Sequence, residues 1–577
     1  MKRINFFKIF FYIFILFWIF ISVNWGLMND SQKSLIECGI LNKSKLYSDL
    51  EKARNDLYRD GKDYYFHNIA SQISTNIIDY RNNTGLSNFY TAIRPYYLRT
   101  THSDEQATLF ALSNMNPYKF EFDPHFYQYG GSYIYPLGFY LKVLDTLKII
   151  NLVPDIKYYF NNIQEMANIY ISCRVYIGLS VFVLTLILYK LLRRFCSDNF
   201  SVLLTLLFVT LPVITLFKSI IKAHIVAPAF GIVSLYYLYK IIVNGEIRYR
   251  NFILCGLWTG LAAGSIILYF SYLIIPLTAI IYYKKINIRN KIFYIIIICF
   301  TALIFYVVSN PYFILNINKN IHHYDTFRKV YHSYENGLLV HFIYGLPKFF
   351  SKCFEGLGPA LFLFIFMLCQ LGLYFKKISN DNKRISYIIG IFIFLISYSL
   401  YFELPITKIF KREHIRIYIP AIPIIILFIG LMYHYISNFN KKVVQILLLS
   451  GIMYNLIISG QYQFEFFQGS INNRTSLQAG AWINLNIPED RTIGLHYIPQ
   501  PHYCPPFGFS KYKLIVPFSA DTQVDYVIIK NIDRDRDILH RLLNSKDYKL
   551  IKVFKNKRLF EIVNHLVSSD IYIFQKI

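Results

Sequence analysis

Two adjacent acidic residues in an early polar stretch have the types and spacing needed for proton transfer. Asp104 and Glu105 are neighbours, and Asp123 and His125 follow about twenty residues later. A carboxylate can accept the proton of an attacking hydroxyl group when it lies within about 3 Å of that group. The pattern therefore indicates a candidate general base.

A structural explanation of the same pair is also available. Ser103 followed by Gln106 is a capping-box pattern, and acids in a first helical turn stabilise the helix dipole. Adjacent helical positions point about 100° apart, so at most one of the two acids can face a reacting atom. Both interpretations place the pair at the start of a helix.

The composition of the whole chain indicates a membrane protein. Of the 577 residues, 55% are apolar and 16% are charged, and the mean hydropathy is +0.35. Soluble proteins carry about 25% charged residues. The net charge of +26 comes from short basic clusters between apolar runs, which is typical of membrane topology and not of nucleic-acid binding. Membrane lipids are therefore expected partners, and nucleic acid is not.

Apolar runs of about 20 residues predict the membrane-spanning helices. The 33 residues of 251–283 have basic residues at both ends, which requires an even number of crossings and therefore predicts two short helices. The total is about eleven helices, which fall near 5–26, 174–192, 199–217, 222–243, 251–283 (two), 292–309, 355–375, 385–402, 415–433 and 443–460.

The positions of the basic residues predict the sidedness of the chain. With the N-terminus in the cytoplasm, every inner loop carries Lys or Arg residues. The predicted fold is an α-helical polytopic membrane protein with a large first extracytoplasmic loop and a small extracytoplasmic C-terminal α/β domain. The predicted regions are an anchor at 1–26, the loop at 27–170, helices 2–11 at 171–460 and the α/β domain at 461–577.

The C-terminal region also has recognisable elements. A helix is predicted at Leu477–Leu485, followed by strands at Thr492–Leu495, Leu514–Pro517 and Val524–Ile529 and a helix at Asp535–Leu543. Two further runs predict a β-hairpin of Lys549–Phe554 with Arg558–Ile562.

Several motifs in this order resemble those of the GT-C superfamily of membrane glycosyltransferases. The chain is most similar to the protein O-mannosyltransferases and the aminoarabinose transferases that modify lipid A. The resemblance runs from about Arg94 to the C-terminus and rests on the Asp-Glu pair, on DPHF followed by YPLG, on Arg174, on Asn310-Pro311-Tyr312, on RIYIPAIP with Arg416, and on AGAWINLNIPEDRTIGL.

The resemblance implies an inverting transfer of a sugar from a polyprenyl-phosphate carrier to an extracytoplasmic acceptor, in an integral membrane protein of the bacterial inner or plasma membrane. Asp104 matches the position of the base, and Glu105 would support it. The leaving phosphate needs cationic partners, for which Arg416, Lys222 and His224 are the candidates. Snorkelling towards lipid headgroups is the alternative role of these cations.

The acceptor side is expected to include Asp123, His125 and Tyr135. An interfacial aromatic belt would explain the tyrosines equally well. Two departures from the pattern suggest a changed donor site or reduced activity: Ala229 replaces a second acid, and Ile266 or Ile267 replaces a lysine. No structural metal and no firm cofactor are expected, and a divalent cation would bind only together with substrate oxygens.

Other functions remain open on the sequence alone. A transporter or flippase of lipid-linked sugars would need charged residues at the membrane midplane, which are scarce here. A ligase of lipid-linked sugars fits the early acidic pair less well. The donor sugar is open, and so is the acceptor, which could be protein, lipid A or another envelope glycan.

Overall fold

The structure is a computed structural model in which the following residues are described: 6–59, 76–102, 104–318, 354–379, 381–403, 416, 418–470, 475–519, 522–530, 536–556 and 570–577. Two compact units are each assembled from separate stretches of chain. The first unit contains Met1–Ile21, Ala107–Tyr140 and Arg174–Tyr462, and the second contains Ser22–Gln106, Leu141–Cys173 and Gln463–Ile577. These units cut across the sequence-based regions, because the early loop contributes to both.

The helices of the described residues include both apolar ones and shorter polar ones. Those before residue 200 are α1 (Phe6–Phe20), α2 (Asp30–Ile36), α3 (Lys43–Arg59), α4 (Leu86–Leu98), α5 (Glu105–Ser113), α6 (Gly131–Thr146), α7 (Ile156–Asn161), α8 (Ile163–Leu192) and α9 (Asp198–Thr210). They are followed by α10 (Pro212–Phe217), α11 (Ala227–Ile242), α12 (Tyr249–Ser265), α13 (Ile274–Tyr282), α14 (Ile288–Ser309) and α15 (Pro311–Leu315). The remainder are α16 (Ala360–Leu373), α17 (Phe375–Ser379), α18 (Asn382–Glu403), α19 (Ala421–Tyr433), α20 (Asn438–Ser470), α21 (Thr475–Asn486) and α22 (Arg536–Leu543).

Each of the predicted membrane segments contains a helix. Within the described residues, four helical stretches are long and apolar enough to cross a membrane: Ile163–Leu192, Ala223–Ile242, Ile288–Ser309 and Asn438–Gln468. The stretch predicted to hold two short helices does contain two, α12 and α13, separated by a 3₁₀ segment at Ile267–Leu273. These helices agree with a membrane protein.

A buried lysine closes the end of α1 in the first unit. Lys218 has no exposed surface, and its ammonium group donates to the carbonyl oxygens of Trp18 and Ile19, the latter at 2.7 Å. The last carbonyl groups of a helix have no partner within the helix. Lys218 therefore supplies the hydrogen bonds that the end of α1 lacks.

The second unit contains a six-stranded sheet. Its strands are β1 (Asn76–Ile78), β2 (Thr492–Leu495), β3 (Lys513–Val516), β4 (Tyr526–Lys530), β5 (Tyr548–Phe554) and β6 (Ile571–Lys576), in the spatial order β1-β3-β2-β4-β6-β5. The central strands β3, β2 and β4 are parallel, and the outer pairs are antiparallel. The elements predicted for the C-terminal region, from α21 to α22, lie where the sequence places them. The predicted hairpin partner of β5, Arg558–Ile562, lies outside the described residues, and β5 pairs antiparallel with β6, a strand that the sequence did not predict.

The early polar stretch up to Gln106 belongs to this same unit. Strand β1 pairs with β3, with Asn76 opposite Val516. The amide of Gln32 in α2 donates to the carbonyl of Tyr96 in α4 at 2.7 Å. These contacts give a structural role to the described parts of residues 27–93, whose role the sequence left open.

One buried carboxylate joins α2, α3 and α4. The Glu37 side chain is 3% exposed and accepts hydrogen bonds from the hydroxyl groups of Tyr47 at 2.6 Å and Tyr97 at 2.9 Å. Lys43 lies 2.8 Å from its other oxygen. Burial raises the pKa of Glu37, but the hydrogen bonds from Lys43, Tyr47 and Tyr97 outweigh it and hold the pKa below its ordinary value of 4.5. The carboxylate therefore stabilises the fold in its ionised form.

We expect Glu37→Gln to destabilise the protein by about 2 kcal/mol at pH 7, because a charge-assisted network is lost. A carboxyl group whose pKa is lowered by folding contributes stability above its unfolded pKa and loses that contribution as the pH falls through the folded value. The difference in Tm between wild type and Glu37→Gln should therefore be largest near neutral pH and shrink below pH 4.5.

Thermal unfolding of the detergent-purified protein between pH 4 and pH 7 measures this difference. Glu51→Gln is the matched control, since Glu51 is 31% exposed in its 2.6 Å ion pair with Lys157. Such surface pairs contribute about 0–1 kcal/mol. Equal effects of the two substitutions would contradict the role assigned to Glu37.

Candidate active site

Asp104 lies in a short loop of the second unit, between the end of α4 and the start of α5. The N–H of Arg99 donates to the carbonyl of Pro95 at 2.8 Å and closes α4. The N–H of Asp104 donates to Nδ1 of His102 at 3.2 Å, and Glu105 is the first residue of α5. Ser103, the predicted capping residue, lies outside the described residues. The loop therefore presents Asp104 immediately before a helix.

The two acids of the pair have different surroundings. Glu105 has no exposed surface and accepts a hydrogen bond from the hydroxyl group of Thr100 at 2.5 Å. The same hydroxyl oxygen accepts the N–H of His102 at 3.2 Å. Asp104 is half-buried. Glu105 is thus enclosed within the loop, while Asp104 is only half-buried.

A close approach between two backbones fixes the start of this loop. The N–H of Thr101 donates to the carbonyl of Gly26 at 2.9 Å. Gly26 has φ +61°, and a Cβ atom there would lie 2.1 Å from Oγ1 of Thr101. Only glycine adopts this left-handed conformation without strain and leaves room for Thr101. The chain after α1 therefore helps to position the acidic pair, a role that the sequence did not reveal.

Asp123 is surrounded by hydrogen-bond donors of the first unit. Its carboxylate accepts from the hydroxyl group of Tyr127 at 2.9 Å, from the amide of Asn316 at 2.8 Å and from the backbone N–H of His125 at 2.9 Å. The His125 side chain is 58% exposed, and its Nδ1 lies 3.5 Å from the carboxylate. The structure thus brings Asp123 and His125 together, and the carboxylate holds the surrounding loop.

Tyr135 lines a small pocket next to this cluster. The pocket is formed by Pro124, Tyr127, Tyr129, Gly131, Tyr135, Asn310, Tyr312 and Phe313. The Tyr135 hydroxyl donates to the carbonyl of Phe122 at 3.3 Å. Burial, with contributions from Tyr312 and Asp123, raises the pKa of Tyr135 to about 12. Tyr135 is therefore a neutral hydroxyl group at physiological pH, and its aromatic face is suited to a sugar ring.

Asn310 holds the wall of this pocket. Its side-chain oxygen accepts the N–H of Gly131 at 2.8 Å, and its amide donates to the carbonyl of Gly264 at 3.2 Å. A Cβ atom at Gly131 would lie 1.9 Å from the carbonyl oxygen of Ser309, so α6 begins in direct backbone contact with the end of α14. This explains the asparagine of the Asn310-Pro311-Tyr312 motif.

The three predicted phosphate ligands belong to the first unit and occupy different environments. Lys222 is 1% exposed, with its ammonium group 5.9 Å from the ring centre of Phe217. His224 is half-buried, and its ring meets that of Tyr129 edge-on at 5.9 Å. Arg416 is half-buried and precedes α19. The six predicted residues outside the acidic pair therefore all lie in the first unit, and the pair lies in the second.

The positions that depart from the GT-C pattern differ in burial. Ala229 lies in the first turn of α11 and is 9% exposed. Ile266 ends α12 in an extended conformation and is 8% exposed, whereas Ile267 is 49% exposed. Within the described part of the chain, no three His, Cys, Asp or Glu side chains are grouped to hold a metal ion.

We expect Asn310→Ala to destabilise the protein by about 1–3 kcal/mol, because it leaves the buried N–H of Gly131 without its partner. Asn290→Ala, at an exposed position near the start of α14, is the control and should leave Tm within error of wild type. Thermal unfolding in detergent, followed by intrinsic fluorescence, compares the two. The same Tm for both variants would show that Asn310 does not hold the pocket wall.

Comparisons with known proteins show similarity only at the level of structure. No protein-family model matches the sequence, and a search of curated protein sequences finds no match. The chain is similar to ArnT from Cupriavidus metallidurans in the apo state, with TM-score 0.39 and 9% identity over 78% of this chain and 88% of ArnT. For ArnT bound to undecaprenyl phosphate, the TM-score is 0.40 and the identity is 9% over 98% of both chains.

A second similar protein is the archaeal oligosaccharyltransferase AglB from Archaeoglobus fulgidus, in complex with an inhibitory peptide and a dolichol-phosphate. Its TM-score is 0.41, with 12% identity over 73% of this chain and 57% of AglB. ArnT and AglB are members of the GT-C superfamily. Because these TM-scores and identities are low, the activity of the chain is proposed from its own residues.

Proposed function

We propose that this protein is an inverting glycosyltransferase that moves a sugar from a polyprenyl-phosphate carrier to an extracytoplasmic acceptor. The observation that carries the proposal is the division of the acidic pair, in which Glu105 is buried against Thr100 and Asp104 is half-buried at the start of α5. A carboxylate that is not fully buried can come within hydrogen-bond reach of an acceptor hydroxyl group, as a general base must.

The reaction follows from the chemistry of the proposed substrates. The acceptor hydroxyl oxygen attacks the anomeric carbon, and the bond from that carbon to the phosphate oxygen breaks on the opposite face. The hydroxyl proton passes to Asp104, and the phosphate leaves on its lipid carrier. Because the phosphate gains negative charge, Arg416, Lys222 and His224 are proposed to stabilise it. Arg416 has the planar donor fork that suits phosphate oxygens.

The acceptor is proposed to contact the aromatic pocket of the first unit. Tyr135 provides a neutral ring, while the Asp123 carboxylate keeps Tyr127 and Asn316 in place. Asp123 and His125 are therefore proposed to shape the acceptor side and not to move the proton. A divalent cation would need substrate oxygens in addition to Asp104.

The proposed setting is a bacterial inner or plasma membrane crossed by about eleven helices. The basic inner loops support a cytoplasmic N-terminus and an extracytoplasmic C-terminal domain. In this arrangement a lipid-linked donor reaches the protein from within the membrane. The short inner loops offer no large domain for a soluble nucleotide sugar.

We expect Asp104→Asn to abolish sugar transfer, with a loss of at least about 10²-fold, because the amide cannot accept the hydroxyl proton. The measurement is mass spectrometry of polyprenyl-linked sugars and envelope glycans in a deletion strain complemented with wild type or variant. In the strain complemented with Asp104→Asn, we expect one glycan to lack a single sugar and the carrier-linked form of that sugar to accumulate. The mass of the missing sugar identifies its class.

Asp490→Asn is the matched control, since Asp490 is 78% exposed in the C-terminal region and should support full transfer. Glu105→Gln keeps an oxygen that can accept from Thr100 and should retain partial activity. Full transfer by Asp104→Asn would show that the acidic pair only caps α5. No change in any glycan or carrier-linked sugar on deletion would reject the glycosyltransferase itself.

We expect Arg416→Ala to reduce donor use by about 10- to 100-fold, because one charge-assisted contact to the phosphate is lost. Arg416→Lys should recover part of the loss, since it restores the charge without the fork. Transfer by the purified variants in membranes of the deletion strain, at increasing protein concentration, measures the effect. Equal rates for wild type and Arg416→Ala would assign this arginine to the lipid headgroups instead.

A further inference from the structure

A histidine from the C-terminal part of the chain contacts the loop that carries Asp104. Nδ1 of His502 lies 3.1 Å from the carbonyl oxygen of Thr101, three residues before Asp104. A carbonyl oxygen only accepts hydrogen bonds, so Nδ1 carries the proton and donates it. Since the N–H of Thr101 donates to Gly26, both backbone groups of Thr101 are held by other segments.

Two further hydrogen bonds join the same stretches of chain. The guanidinium group of Arg99 donates to the side-chain oxygen of Gln500 at 3.2 Å. The hydroxyl group of the fully buried Tyr96 donates to the carbonyl of Cys504 at 3.0 Å. Residues 96–101 are therefore joined to residues 500–504 by three hydrogen bonds. The bond from His502 is the one whose partner, Thr101, lies nearest to Asp104 along the chain.

The loop at 500–504 is itself fixed to the sheet. The N–H groups of Tyr503 and Cys504 both donate to the carbonyl of Gln500 at 2.9 Å, which closes a turn around His502. Lys530, the last residue of β4, is 7% exposed, and its ammonium group donates to the carbonyl of Pro501 at 3.0 Å. The position of His502 is thus set by a strand in the centre of the sheet.

We propose that His502 is a positioning residue that holds Asp104 in the geometry required for proton transfer. The proposal rests on the proposed function of Asp104 as the base. A misplacement of about 1 Å in a catalytic group can cost about 10²-fold in rate. The α/β part of the second unit then acts on the reaction through His502 without touching the substrate.

The mechanical part of the proposal is tested by hydrogen exchange on the full chain in detergent, which needs no substrate. His502→Phe keeps a ring but removes the donor, whereas His502→Asn places an amide donor close to the position of Nδ1. His540→Phe, at an exposed position in α22, is the control. We expect the amides of 99–106 to exchange three- to tenfold faster in His502→Phe only. Exchange equal to wild type in His502→Phe would overturn the proposal.

The catalytic part is tested by adding each purified variant to membranes of the deletion strain, which hold both donor and acceptor, and measuring the initial rate of transfer. We expect a 10- to 100-fold lower rate for His502→Phe, recovery to within about threefold for His502→Asn, and no change for His540→Phe. The proposal would be overturned if His502→Phe had faster amide exchange but an unchanged rate of transfer. It would also be overturned if His502→Asn lost as much of the rate as His502→Phe. Asp104→Asn is measured in parallel. If this variant is active, the assignment of Asp104 as the base is wrong, while the hydrogen-exchange result for the His502 contact is unaffected.

Discussion

Backbone N–H and C=O groups at and beyond the ends of helices have no hydrogen-bond partner within the helix. Where water does not reach them they need a partner from elsewhere in the chain, and this requirement shapes both units of the protein. Lys218 satisfies carbonyl groups at the end of α1, and Asn310 satisfies the N–H of Gly131 at the start of α6. His502 satisfies the carbonyl of Thr101 beside the acidic pair. Each partner comes from a distant part of the chain. Satisfying the backbone therefore also determines which segments of a unit lie together.

The acidic pair shows how neighbouring residues of the same charge acquire different roles. Because Asp104 and Glu105 are consecutive, their side chains leave the backbone in different directions. Glu105 is directed into the loop, where the hydroxyl group of Thr100 meets it, and Asp104 remains half-buried. The capping interpretation and the catalytic interpretation of the pair are thus compatible, since one residue supports the loop and the other is left for chemistry.

The sequence predicts elements whose signal is local and misses contacts between distant segments. Apolar length and basic flanks were enough to predict α12 and α13 as two short helices, and short strand-like runs were enough for the strands β2, β3 and β4. Strand β1 has three residues, too few for a pattern, and it is defined by its pairing with β3. His502 is 401 residues from Thr101, so no spacing rule connects them. Two donors to Asp123, His125 and Tyr127, are near it in the sequence, whereas Asn316 is 193 residues away and is brought there by the fold.

The pairing of β1 with β3 also sets an order of events during biosynthesis. Asn76 must wait for Val516, and a ribosome that adds about 5–20 residues per second needs on the order of 20–90 s to make the chain between them. Most helices of the first unit are made during this interval, and His502 is translated only near its end. A chain truncated before residue 500 would therefore carry Asp104 without the contacts of its loop to Gln500 and His502, and the loop gains them only after His502 has been made.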